Sequence, residues 1–175
     1  MLRGSHGDEF SLRIVGYEFP DKDNDLGFDS NWLIVEIYCK HGEKTWVKRA
    51  PSLLTWEAGI LIKWARDILY KQPGSEVLEF IEPNLLFQAL RGENGKIETL
   101  RVTLGHETCP DWVHTLRKPA YFSMDFAINP EDIEAFCQSL EADLLIYPRR
   151  LQGIKELASS PRDRLRIVKK DNDRT

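Results

Sequence analysis

Two segments of this chain repeat their apolar residues at helical spacing, and the remainder before residue 148 reads as short strands, which leaves few folds open. In "SLLTWEAGILIKWARDILYKQPG", Ile60, Leu61, Trp64, Ala65, Ile68 and Leu69 share a face. Thr55 stands where an N-cap belongs, and Glu57 lies in the first turn, where the helix dipole favours a carboxylate. Pro73-Gly74 stops the run, so the segment predicts a helix over 55–71. "NPEDIEAFCQSLEADLLIY" opens with Asn129 as cap and Pro130 at the first helical position, and predicts a second helix over 130–145. Its buried stripe is Ile133, Phe136, Cys137, Leu140 and Leu144.

The strand-like runs are "FSLRIVGYEF", "WLIVEIYC" and "KTWVKR" before the first helix, then "EVLEFIE", "LLFQALR", "KIETLRVTLG" and "AYFSMDFAI". Pro51 is expected to stop strand pairing, and Asn94-Gly95 to turn a hairpin. Short turns between consecutive strands mean antiparallel pairing. The expected class is therefore α+β, a mainly antiparallel, curved sheet of about six to seven strands with two principal helices covering one face, in the order βββα-ββββα. Residues 10–148 form the single expected domain. Residues 1–9, with an "RGSH" that reads as the scar of an expression tag, are taken as a flexible N-terminus. Residues 149–175 are taken as a basic C-terminal tail with one short helix at 150–159.

Charge is divided unevenly along the chain. Residues 148–175 hold nine Lys/Arg against four Asp/Glu, and residues 1–147 hold fifteen against twenty-four. An acidic folded part disfavours direct nucleic-acid binding and suits a basic partner. No apolar run reaches the roughly 18 to 20 residues that cross a bilayer. The start lacks the apolar stretch of a signal peptide, so a cytoplasmic location is expected. Three cysteines, Cys39, Cys109 and Cys137, show no paired spacing and argue against a disulfide framework.

Catalytic and metal motifs are sparse. In "PDKDNDLGFDSNW", Asp21, Asp23 and Asp25 alternate like calcium ligands, but Leu26 and Trp32 stand where an EF-hand needs its glycine and its bidentate glutamate. In "HETCPDWVH", His106, Cys109 and His114, with Cys39 or His41, could ligate zinc, though the spacing fits no familiar pattern. There is no nucleophile elbow and no phosphate-cradling glycine loop. The expectation is therefore a protein without metal or cofactor, and not an enzyme.

Several stretches together resemble the WapI-type immunity proteins, antidotes to the toxic C-terminal domains of bacterial contact-dependent or polymorphic toxins. They are "GYEFP" (16–20), Asp29 with "NWLIVE" (29–36), "APSLLTWE" (50–57), Trp64, "EPNLLF" (82–87), Glu107 with Pro110 and Trp112, and "YPR" (147–149). The resemblance covers about residues 10–150 and implies a cytoplasmic protein that binds and blocks a cognate toxin domain, often a nuclease. A nuclease cleft is basic, because it must attract phosphate, and an inhibitor can match that field with carboxylates. Asp21, Asp23, Asp25 and Asp29, with Trp32 as aromatic anchor, are the expected partner-binding residues. The same loop also reads as a solvated turn. A metal- or small-ligand-binding regulator, or an enzyme of unrecognised type, stays open beside the antidote; a deep pocket of perturbed carboxylates would favour those.

Overall fold

Each of the two helices closes a four-stranded antiparallel meander. The computed structural model describes residues 1–22, 28–70, 74–113 and 120–150. The first meander is β1 (Leu2–Arg3), β2 (Glu9–Tyr17), β3 (Trp32–His41) and β4 (Lys44–Leu54), followed by α1 (Thr55–Tyr70). The second is β5 (Val77–Glu79), β6 (Leu85–Arg91), β7 (Ile97–Gly105) and β8 (Tyr121–Ala127), followed by α2 (Pro130–Ile146). The strands lie in chain order in both sheets, and every pair is antiparallel. The class is α+β, as expected, but the described residues form two sheets of four strands rather than one sheet of six or seven. The order is ββββα twice.

The additional strand comes from the N-terminus, and this corrects the expectation for residues 1–9. Leu2 pairs with Phe10 across β1 and β2 and is only 2% exposed. Gly4 lies so close to β8 that a Cβ there would come within 3.1 Å of the Asp125 carbonyl, so β1 sits where the two sheets meet. A buried leucine and a ladder partner hold this segment as firmly as any strand end.

Pro51 does not stop pairing either. It stands inside β4 opposite Ile34, at a register shift that leaves Ser52 as the extra residue. β4 is the edge of its sheet, and a bulge on an edge strand is where the missing proline N–H costs no ladder bond.

The helices reach across the halves. In α2 the Asn129 side chain accepts from the Glu131 and Asp132 N–H groups, the expected cap. Its buried face carries Ile133, Phe136, Cys137 and Leu140, and also Asp143, which is 1% exposed. Asp143 accepts two bonds from the Arg13 guanidinium, at 2.8 and 2.7 Å, and a third from Ile14 N, so α2 is fastened to β2 of the other half. In α1, Trp64 packs edge-on to Phe87 of β6 and donates its indole N–H to Ser75 O. Glu57 is 7% exposed and accepts from Leu54 N and from Ile81 N beyond β5, so its role is backbone capping in two places as well as a first-turn charge. The buried stripe of α1 is centred on Leu61 and Ala65, with Ala58, Ile62 and Ile68 beside them. Ile60 falls past its edge and is 49% exposed, contrary to the expected stripe.

Phe10 of β2 stands at the centre, with Phe87, Phe126 and Phe136 at ring distances of 6.2, 6.4 and 6.3 Å. One core thus serves both halves. The folded part runs on past residue 148: Arg149 lies over the Trp56 ring at 4.9 Å, and Arg150 is bonded to three loop carbonyls. The expected helix at 150–159 lies, beyond Arg150, outside the described residues.

Candidate functional site: an acidic cleft between the sheets

Three loops that are far apart in sequence, β2–β3, β5–β6 and β7–β8, meet beside β3 and β4 and line a cleft of about 390 Å³. The stretch after β2 brings Glu18 and Phe19, the turn before β3 brings Asp29, and β3 itself begins with Trp32. Pro51 comes from the bulge in β4, Glu82, Pro83 and Asn84 from the β5–β6 turn, and His106 and Glu107 from the turn after β7.

Backbone bonds fix this meeting. Glu18 N donates to Trp32 O at 2.9 Å, which holds the β2 exit against β3. Asn84 is the keystone of the far wall: its buried side chain donates to Pro51 O and Ser52 Oγ at 3.2 Å each. Its carbonyl accepts from Gly105 N at 3.0 Å and from Thr108 Oγ1 at 2.6 Å. The proline bulge thereby becomes the joint between the sheets. On the near wall the Arg150 guanidinium donates to the carbonyls of Phe19 at 2.9 Å and Pro20 at 3.1 Å, and stacks on Tyr17 at 3.5 Å. The Arg150 N–H reaches Asn31 Oδ1 at 3.0 Å, and Asn31 Nδ2 returns a bond to the Arg150 carbonyl at 3.2 Å.

The lining carries four carboxylates, Glu18, Asp29, Glu82 and Glu107, and its basic side chain is His106. Partial burial pushes the Glu18 carboxyl above its ordinary range, and repulsion from Asp29, Glu82 and Glu107 adds to the rise, against a smaller pull from Lys22. Lys22 bridges Asp29 at 2.8 Å across exposed surface and lies over the Phe19 ring at 4.5 Å. Trp32 is half-buried and lines the cleft together with Phe19, Pro51 and Pro83. His106 takes a φ of 49°, in the left-handed region, and meets the Tyr121 ring edge-on at 5.9 Å.

Of the partner-binding residues expected from sequence, the structure brings Asp29 and Trp32 into this cleft. Asp21 is exposed on the turn after Pro20 and does not line it, and Asp23 and Asp25 lie outside the described residues. Glu18, Glu82 and Glu107 are not among the partner-binding residues expected from sequence, because nothing local in the sequence brings the three together. The signal that could have found them is that all three fall within the stretches carrying the family resemblance.

The arrangement attracts cations and accepts hydrogen bonds. Among the described residues no three His, Cys, Asp or Glu side chains come together as a metal site. Of the histidines and cysteines considered for zinc, His41 contacts Asp8 at 3.1 Å and Cys39 is wholly buried, while His114 lies outside the described residues. Burial, with a smaller contribution from Cys109, pushes the Cys39 thiol up to about 12, and burial first of all pushes Cys137 up to about 11. Both are small hydrophobes at neutral pH. Among the described residues no helix is long and apolar enough to cross a membrane.

No curated protein and no solved structure matches the chain. A family does: residues 1–148 match the immunity protein WapI-like family. The match begins at residue 1, in keeping with a β1 that belongs to the fold. It spans both ββββα halves and every loop of the acidic cleft, and it makes the chain a binding protein rather than a catalyst. The chain belongs to the immunity protein WapI-like family.

Proposed function

We propose that this immunity protein works in the cytoplasm, where it binds a cognate toxin domain with nuclease activity and covers it with the acidic cleft. The observation that carries the reading is the convergence of Glu18, Asp29, Glu82 and Glu107 from three separate connections, β2–β3, β5–β6 and β7–β8, onto one cleft that Trp32 also lines. Four carboxylates in one concave surface focus a negative potential, and raising the charged form of Glu18 in free protein costs energy that a partner cation returns. A basic nuclease cleft supplies such cations. Asp21, Asp23 and Asp25 add negative charge to the sequence of the same β2–β3 connection, and Trp32 supplies aromatic surface in the cleft lining.

Rim charges act mainly on association and buried anchors on dissociation. The combined change Glu18→Gln, Asp29→Asn, Glu82→Gln and Glu107→Gln is expected to slow association by about tenfold at low salt and to flatten its salt dependence, with the fold intact by circular dichroism. The measurement is binding kinetics against the toxin domain encoded beside this chain, together with protection of cells on co-expression. Cells left unprotected, with no complex at micromolar concentration, would remove the antidote reading. Protection and association kinetics that survive the fourfold change would keep the antidote and remove the cleft from its interface.

A further inference from the structure

Next to the acidic cleft, across Pro83, runs a second concavity of about 430 Å³ with an apolar surface. The buried Leu85 and half-buried Phe80 and Leu86 form its floor, and Pro83, Tyr121 and Glu79 complete the lining. The floor is rigid, because Leu85 is 2% exposed and Phe80 packs edge-on to the core ring of Phe87 at 6.1 Å. Tyr121 is 55% exposed, and Ile81 and Val77 next to the groove are 56% and 41% exposed.

The position of Tyr121 is set by a glycine. Gly105 is its ladder partner, and a Cβ on Gly105 would stand 2.8 Å from the Tyr121 ring and 3.1 Å from Pro83 O. The ring therefore lies across bare backbone and closes the groove against the proline. On its other side it touches His106, which belongs to the cleft. Groove and cleft are one continuous surface with an apolar end and an acidic end.

We propose that the apolar groove anchors the toxin domain: a bulky apolar side chain of the toxin lodges against Tyr121, Phe80 and Leu86 while a Lys or Arg beside it enters the acidic cleft. The occupant is a partner with basic and apolar residues side by side, because the surface presents the complementary pair at the distance of one shared proline. An exposed tyrosine over an apolar floor beside an acidic cleft offers an anchor for a partner, and a preset tyrosine costs little entropy to use. This inference rests on the antidote reading and supplies the anchor that the cleft charges lack.

The test separates the two ends of the surface kinetically, with the purified toxin domain encoded beside this chain as the probe. Tyr121→Ser is expected to speed dissociation by about tenfold or more and to change association by less than about twofold, while Tyr121→Phe keeps the wild-type rates. Ile81→Ser, outside the groove floor, serves as a second variant with a smaller effect in the same direction. Melting curves of the free variants verify that they fold. Wild-type protein that binds the toxin, with dissociation unchanged in both serine variants, overturns the groove and leaves the antidote standing. No complex with wild-type protein overturns both. A concentration-dependent dimer of the free chain that Tyr121→Ser abolishes would assign the groove to a second copy and overturn the proposal.

Discussion

Glu18 is the residue whose chemistry most separates stability from binding. In the folded protein its carboxyl is raised by burial and by three neighbouring carboxylates, so the folded state holds the proton more tightly than the unfolded chain does. An acid with a raised folded pKa contributes stability below its unfolded pKa, and that contribution is lost as pH rises through the folded pKa. Removing the charge should therefore help the free protein at neutral pH and do little in acid. We expect Glu18→Gln to raise the melting temperature at pH 7 and to leave it nearly unchanged at pH 4, while weakening the toxin complex at pH 7. Thermal melts across that range decide it, and a melting temperature lowered at pH 7 would contradict the electrostatic account. Asp143 is the opposite case, an acid that serves the fold: three donors satisfy it in the core, and its pairing with Arg13 is what a helix stripe read from apolar residues alone could not anticipate.

Among elements, the short strap of Pro148, Arg149 and Arg150 does more than its basic composition suggests. Arg150 makes charge-assisted bonds to the Phe19 and Pro20 carbonyls and stacks on Tyr17, and Tyr17 donates to the Pro148 carbonyl. Truncation after Tyr147 is expected to lower the melting temperature by about 5 °C or more, equivalent to about 2 kcal/mol for a domain of this size. Truncation after Arg150 is expected to change it by less than about 2 °C. Equal melting temperatures for the two truncations would show that the strap adds nothing. The described fold runs two residues past the point where the charge pattern ends the domain, because arginines with ring and backbone partners look in sequence like arginines in solvent. Helix starts were legible for the contrary reason: Asn129-Pro130 and Glu57 act on backbone groups within a few residues. Strand pairing is not local in this sense. Whether Pro51 ends a strand or shapes a bulge depends on β4 being an edge, and that depends on the order of the whole sheet. The cleft was legible only in Asp29 and Trp32, since its other acids are brought together by the tertiary fold.

At the scale of the molecule, the exchange of helices between the halves has a consequence for time rather than for space. Residues 1–73 contain a complete meander and its helix, yet Trp64 of that helix needs Phe87, Glu57 needs Ile81 N–H, and β2 waits for Phe136 and Asp143. Each half completes its core with residues of the other, so a purified 1–73 fragment is expected to show no cooperative melt, whereas mixing it with 74–150 should restore one; a cooperative transition in the fragment alone would refute the interdependence. During synthesis, at about 5 to 20 residues per second, the first half leaves the ribosome with nothing to fold against. The acidic cleft draws its lining from both halves, so on the proposed reading a nascent chain is expected to offer no protection until the second half has emerged. If the proposed reading holds, immunity is delivered in whole molecules, and a cell facing the toxin depends on antidote completed beforehand.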